Sequence, residues 1–233
     1  MFLDADTCMQ DDGLKKIIES YLENKGALSV QPYHRTAKFY EQFSAVFSLI
    51  FVMAMGSFTI LGKHINPAGL FGPCIVISRK DYMAVGGHEA VKGEVVEDMA
   101  LGVILKKQNI NLNCLGGKGA IDYRMYPGGT MELIDGWTKN FAAGAQDTSI
   151  FLIIAIVCWI GGALGVVISI FNLAFTVNVM LLGSYFALYL AFTLQIIWIL
   201  KRIGNYRIYT ALFYPVYIVF FVLIFLRSIF WIY

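Results

Sequence analysis

Two acidic clusters hold the residue types best suited to chemistry. Asp4 and Asp6 stand one residue apart, directly after Phe2-Leu3, which reads as the end of a buried strand. Two carboxylates at the C-terminal edge of a strand can share a hard divalent cation that keeps waters and bridges to substrate phosphates. Such an ion neutralises charge developing on a diphosphate leaving group. Asp-x-Asp alone is a weak signal, and a simple capping turn accounts for it equally well. Glu97-Asp98 opens a helical pattern much later in the chain. An acid at a helix start is commonly a cap, yet an inverting sugar transfer needs a carboxylate to take the proton of an attacking hydroxyl. On that chemistry Asp98 is the candidate base and Glu97 its supporting group. The histidines, His34, His64 and His88, lack metal-ligand spacing and read as surface or loop residues, with His34 and His88 beside the candidate acceptor loops. Cys8, Cys74, Cys114 and Cys158 form no CxxC pair and read as reduced thiols.

The elements that must position these groups are an alternation of short strands and helices. After Gly13, the residues Leu14, Ile17, Ile18, Tyr21 and Leu22 repeat with a helical period, and Gly26 ends the run. Residues 27–30 read as a strand, 71–78 as a second, and 79–85 as a short helix before the Gly86-Gly87 turn. Residues 97–108 predict a helix with Met99, Val103 and Ile104 on one face and Lys106 and Lys107 near its C-terminal end, where the dipole favours them. Residues 110–114 and 120–126 read as further strands. The apolar stretch 39–61 carries Glu41 and Gln42 at its start. It reads as a buried or membrane-surface helix, because a span there would divide the catalytic domain between two sides of a bilayer.

The chain is 58% hydrophobic and only 15% charged, too apolar for an ordinary soluble domain. From Ser149 onward the charged residues are Lys201, Arg202, Arg207 and Arg227. Three apolar runs, 150–171, 177–200 and 211–233, are each long enough to span a bilayer. The basic link 201–207 predicts a cytoplasmic loop, which puts residues 1–147 on the cytoplasmic side of a multi-pass cell-membrane protein. Arg227 falls late in the third run, where it can snorkel to the interface. The expected division is therefore residues 1–147 as an α/β catalytic part and 148–233 as a membrane domain of about three helices. A net charge of +2 without a clustered basic face argues against nucleic acid as partner. A transporter is disfavoured because charge is absent from the middle of the runs.

Phe2-Leu3-Asp4-Ala5-Asp6, Ser29-Val30-Gln31-Pro32-Tyr33-His34, Phe71-Gly72-Pro73, Gly86-Gly87-His88, Val96-Glu97-Asp98 and Tyr123-Arg124-Met125-Tyr126 together resemble the family 2 glycosyltransferases of the GT-A fold. Within that family, the Ser29–His34 segment, Arg124-Met125-Tyr126 and Gly136-Trp137-Thr138-Lys139 look most like the bacterial carotenoid-acid glucosyltransferases of the 4,4'-diaponeurosporenoate type. The resemblance covers essentially the whole chain. It implies a partial GT-A (Rossmann-like) α/β domain followed by a C-terminal bundle of transmembrane helices. It also implies UDP-glucose as donor, Mg2+ or Mn2+ at Asp4 and Asp6, Asp98 at the acceptor-activating position, and a lipid or carotenoid acceptor taken from the bilayer. A nucleotide-binding first half of the domain is expected before Met1. Many relatives carry Gln-x-x-Arg-Trp ahead of the membrane; here Leu133 and Gly136 fill the Gln and Arg positions and only Trp137 remains. Trp137 and Lys139 are the candidate donor-binding residues, with Trp137 equally suited to an interfacial anchor. A carotenoid acid is already ionised near neutral pH, so ester formation needs no strong base. Asp98 is equally compatible with a hydroxyl on a glycolipid or with a polyprenol phosphate as acceptor, and an inactive remnant of such an enzyme is the remaining alternative.

Overall fold

The computed structural model describes residues 1–56, 67–94, 96–144, 149–173 and 179–231. The chain runs β1 (Phe2–Leu3), β2 (Thr7–Met9), α1 (Gly13–Glu23), β3 (Ala27–Gln31), β4 (Tyr33–His34), α2 (Ser44–Ala54), β5 (Cys74–Val76), α3 (Arg79–Ala84), α4 (Glu97–Lys107), β6 (Leu112–Gly116), β7 (Ile121–Tyr123), α5 (Thr130–Gly144), α6 (Ile150–Leu173), α7 (Val179–Ile203), α8 (Ile208–Leu212) and α9 (Tyr214–Trp231). Single 3₁₀ segments occupy Phe39–Phe43 and Gly87–Val91.

Every residue of β3 is buried, as a strand covered on both faces must be. It pairs antiparallel with β5 and parallel with β6, and β1 adds to the far side of β5, giving the order β1-β5-β3-β6. The two-residue period of the pleat divides the side chains. Leu28, Val30, Cys74 and Val76 pack with Ile17 of α1, while Ala27, Ile75 and Leu112 pack with Leu101 and Leu105 of α4. Burying each of those two leucines is worth about 2 kcal/mol. Pro32, which has no N–H to give a ladder, separates β3 from β4, and β4 enters a second sheet of order β2-β7-β4. β2 is too short for any alternation to announce it.

Several expectations change at this level. Phe2 and Leu3 are exposed at the sheet edge rather than buried, because among the described residues no strand lies beyond β1. The buried face of α4 is Met99, Leu101, Gly102 and Leu105, not the Met99–Val103–Ile104 stripe. Helix α4 lies against the 69–70 loop so closely that a Cβ on Gly102 would sit 2.7 Å from the Gly69 Cα. Helix α2 is buried, as expected for the 39–61 stretch, of which residues 57–66 lie outside the described residues.

Helices α6 and α7 are long and apolar enough to cross a membrane, and little of either is covered by the rest of the chain. The third expected run does not form one such helix. It divides at Phe213 into α8 and α9, with Pro215 tolerated in the first turn of α9. With 18 residues, α9 is about 27 Å long. Arg227 does not snorkel freely but pairs with Asp135 of α5 at 2.8 Å. Both α9 and α5 join α2, α6 and α7 in the largest apolar cluster, around Phe47, Leu133, Trp137, Ala163, Ile199 and Ile218. That core draws on both sides of the expected 147/148 division.

Candidate active site

The acidic edge is built on the loop between the masses of α4 and β5. The Ser29 hydroxyl, at the centre of the sheet, accepts from the Phe71 N–H at 2.6 Å and donates to the Phe71 carbonyl at 2.8 Å. This fixes the Phe71-Gly72-Pro73 loop to β3. The Asp4 N–H donates to the Pro73 carbonyl at 3.1 Å, which sets the end of β1 beside the same loop. The Asp4 carbonyl then accepts from the Thr7 hydroxyl at 2.7 Å and from the Thr7 N–H at 3.2 Å, turning the chain so that Asp6 stays near Asp4. Opposite stands the first turn of α4. An ideal Cβ on Gly72 would lie 2.1 Å from Asp98 Oδ2, so only glycine leaves room for that carboxylate.

Asp98 is also held from the other side. His88 Nε2 lies 3.7 Å from Asp98 Oδ1. The Tyr82 hydroxyl accepts from the His88 N–H at 3.0 Å and sits 2.8 Å from His88 Nδ1. The tautomer in which the Tyr82 hydroxyl donates to Nδ1 makes Nε2 the N–H that faces Asp98. Phe2 covers this pair, its ring centroid 5.0 Å from those of Tyr82 and His88. Gly87, with φ of 59°, would bring a Cβ to 2.5 Å from the Tyr82 ring.

The two acidic clusters meet across Gly72-Pro73, which touches Asp98 on one side and Asp4 on the other. Burial, then the charges of Asp6 and Glu97, raise the Asp4 carboxyl above the usual carboxylate range. Burial, then the charges of Asp4 and Glu97, raise Asp98, with His88 working against the rise. Asp4, Asp6, Glu97 and Asp98 are thus brought to one edge. Asp6 also bears on the phenols of Tyr123 and Tyr126, both raised chiefly by burial.

Trp137 and Lys139 do not join this edge directly. Trp137 is 4% exposed; it stacks on Phe47 at 4.8 Å and donates to Ser44 Oγ at 3.0 Å. It reaches the acidic edge only through Tyr126, whose ring centroid is 5.7 Å away. Lys139 is exposed on α5. At the position where the family resemblance leads one to expect arginine, Gly136 is capped by the Tyr126 ring, which a Cβ would approach to 2.2 Å. Tyr126 adopts φ of 56° and its hydroxyl accepts from Asn140 Nδ2 at 3.1 Å. His34, expected in a loop or at the surface, is fully buried with its Nδ1 2.8 Å from the Tyr206 hydroxyl; desolvation lowers its pKa to about 4, so it is neutral. His64 lies outside the described residues. Tyr82, Tyr126 and the close approach at Gly72 were missed by sequence reasoning. Their signal lay in the Gly-Pro, Gly-Gly-His and Arg-Met-Tyr segments, but what each glycine makes room for is set by contacts distant in sequence.

As to a metal, no group of three or more His, Cys, Asp or Glu among the described residues is spaced to hold one. Asp4 and Asp6 supply two hard oxygen donors one residue apart. That donor set fits an ion that takes its other ligands from water and phosphate.

A mixed sheet with helices on both faces and an acidic edge, continued by long apolar helices, is the architecture of a partial GT-A domain followed by an apolar helical region. In sequence the chain is similar to 4,4'-diaponeurosporenoate glycosyltransferase of Staphylococcus aureus, at 34% identity over 97% of this chain in strains MRSA252 and USA300 alike. The chain spans 61% of the length of those relatives. No family model matches it. No solved structure matches it.

Proposed function

We propose that this chain is the acceptor-side and membrane-facing part of a glycosyltransferase that moves a hexose from a nucleotide-diphosphate donor, UDP-glucose, onto a carotenoid carboxylic acid. The observation that carries this reading is the Gly72-Pro73 backbone held between the two acidic clusters, with the Asp98 carboxylate against Gly72 and the Asp4 N–H bonded to the Pro73 carbonyl, supported by the extent of similarity to the staphylococcal enzymes. Asp4 and Asp6 would hold Mg2+ or Mn2+, which when bound supplies positive charge against the diphosphate. An acceptor carboxylate oxygen attacks the anomeric carbon as the bond to the diphosphate oxygen breaks. The leaving UDP takes that electron pair and the sugar carbon inverts. Asp98, clamped by Gly72 and His88, has no proton to take from an ionised carboxylate acceptor; with a hydroxyl acceptor it would serve as the base. Trp137 would act from one layer behind, by fixing Tyr126.

The chain is read as a multi-pass membrane protein with its α/β part cytoplasmic. In support, the basic link after α7 is fastened to that part. Asn205 Oδ1 accepts from the Thr36 N–H at 2.6 Å and Tyr206 bonds to His34, so link and catalytic part share one side.

The deciding experiment compares Asp98→Asn with the unaltered protein on two acceptors, a polyene carboxylic acid and a polyprenol phosphate or diacylglycerol, using radiolabelled UDP-glucose. An ester-forming enzyme keeps most of its transfer to the carboxylic acid after the change. Transfer by the unaltered protein to the hydroxyl acceptor and not to the carboxylic acid, lost by about 10²–10⁴-fold in the variant, the ordinary worth of a general base, would favour the glycolipid alternative. In parallel, Asp6→Ala should abolish metal-dependent donor binding; unaltered metal dependence places the cation elsewhere.

A further inference from the structure

Between α2, α5, α6 and α9 lies a cavity of about 340 Å³, within the range of small-molecule sites, roughly 300–1,000 Å³. Among the described residues that line it, Asn140 is the one polar residue and none is charged. Four phenylalanines, Phe51, Phe141, Phe221 and Phe225, contribute to its wall. Two features fix its direction. Val96 and Met99 line it, the residues flanking the Glu97-Asp98 pair. On the α6 side it is bounded by Val157, which is 61% exposed on the uncovered apolar surface of that helix.

We propose that this cavity holds the conjugated hydrocarbon chain of the acceptor, entering beside Val157 from the bilayer and delivering its polar end to the first turn of α4. The proposal rests on the transferase reading above and adds the site, the entry route and the part of the acceptor that is recognised. An ionised carboxylate cannot be buried among these side chains without a partner, so the acid end must emerge beyond Val96 and Met99, at the solvent-facing first turn of α4, where the helix dipole favours negative charge. Flat aromatic walls suit the face of a polyene, and a wall without charge selects the chain rather than the head group.

The test is photolabelling of the whole chain, in phosphatidylcholine nanodiscs, with a diazirine-bearing polyene carboxylic acid. Labelling should saturate and map to α2, α6 and α9. Ala54→Trp, which fills the cavity, and Val157→Trp, which blocks its exposed mouth without disturbing the core, should each weaken labelling about tenfold. Phe186→Trp, on an exposed part of α7 away from the cavity, should leave it unchanged. Non-saturating label spread over the outer faces of α6 and α7, or label indifferent to both blocking variants, overturns the proposal. Equal competition by stearic acid also overturns it, by making the cavity a site for ordinary acyl chains. Saturable, variant-sensitive labelling without any transfer to polyene acids would sink the transferase reading and leave the cavity site standing. Transfer with an unaltered acceptor KM in Val157→Trp would do the reverse.

Discussion

Replacing Trp137 by alanine separates a donor-binding tryptophan from a structural one. The indole stacks on Phe47, touches Phe141 at 5.6 Å between centroids, and gives its N–H to Ser44, which is fully buried. Truncating a buried tryptophan costs about 3–5 kcal/mol through lost contacts and the cavity left behind. Depriving buried Ser44 of its donor adds about 1–3 kcal/mol. Trp137→Ala should therefore lose at least about 4 kcal/mol, a large share of a typical domain's stability. Trp137→Phe keeps the stack on Phe47 and gives up the hydrogen bond, so it should lose only about 1–2 kcal/mol. The assay is denaturant unfolding of the chain in detergent micelles, followed by binding of UDP-glucose to whatever remains folded. A Trp137→Ala protein that unfolds within about 1 kcal/mol of the unaltered chain, yet no longer binds donor, would refute the packing argument and make Trp137 a direct donor contact.

Three further outcomes follow from the acidic edge. Gly72 lies outside the left-handed region, so Gly72→Ala tests the close approach alone: the methyl would fall 2.1 Å from Asp98 Oδ2, and transfer should drop by about the same factor as in Asp98→Ala on any given acceptor. A difference of more than about tenfold between the two would break the link between glycine and carboxylate. Asp98 is raised above 3.8 by burial and by Asp4 and Glu97, so between that value and its folded pKa the native state binds the extra proton and stability falls as pH rises. Asp98→Asn should accordingly melt higher than the unaltered chain at pH 7, and a lower melting point there would contradict the assigned shift. Finally, His88→Phe should slow transfer while His88→Gln, which can still present an N–H to Asp98, restores part of it; equal rates for the two would leave His88 a packing residue only.

How much of this was legible beforehand depended on whether the signal was local. The period of Leu14, Ile17, Ile18 and Tyr21 located α1, and the short run Ala27–Val30, apolar but for Ser29, located the central strand, because each element's burial is written in its own residues. The stripe on α4 was misjudged because its partner is the 69–70 loop, whose backbone comes near enough to demand Gly102. Helix α5 left no clear trace. Its buried face, Leu133 and Trp137, is sparse, and its charged neighbours Asp135 and Glu132 are occupied by Arg227 and the Gly128 N–H rather than by water alone. The same holds at the site. The acidic pairs were visible as residue types at a strand end and a helix start, but their convergence depends on Ser29 fastening Phe71 from 42 residues away. His34 shows the converse. As a lone histidine it read as a loop residue, and only the return of the chain after α7, bringing Tyr206 to its ring, turns it into a buried neutral group that ties the apolar helices to the sheet. A fold whose largest core joins α2 and α5 to α6, α7 and α9 couples the acceptor's route through those helices to the position of α4. That is why a change at the mouth of the cavity, far from any carboxylate, is expected to register in transfer.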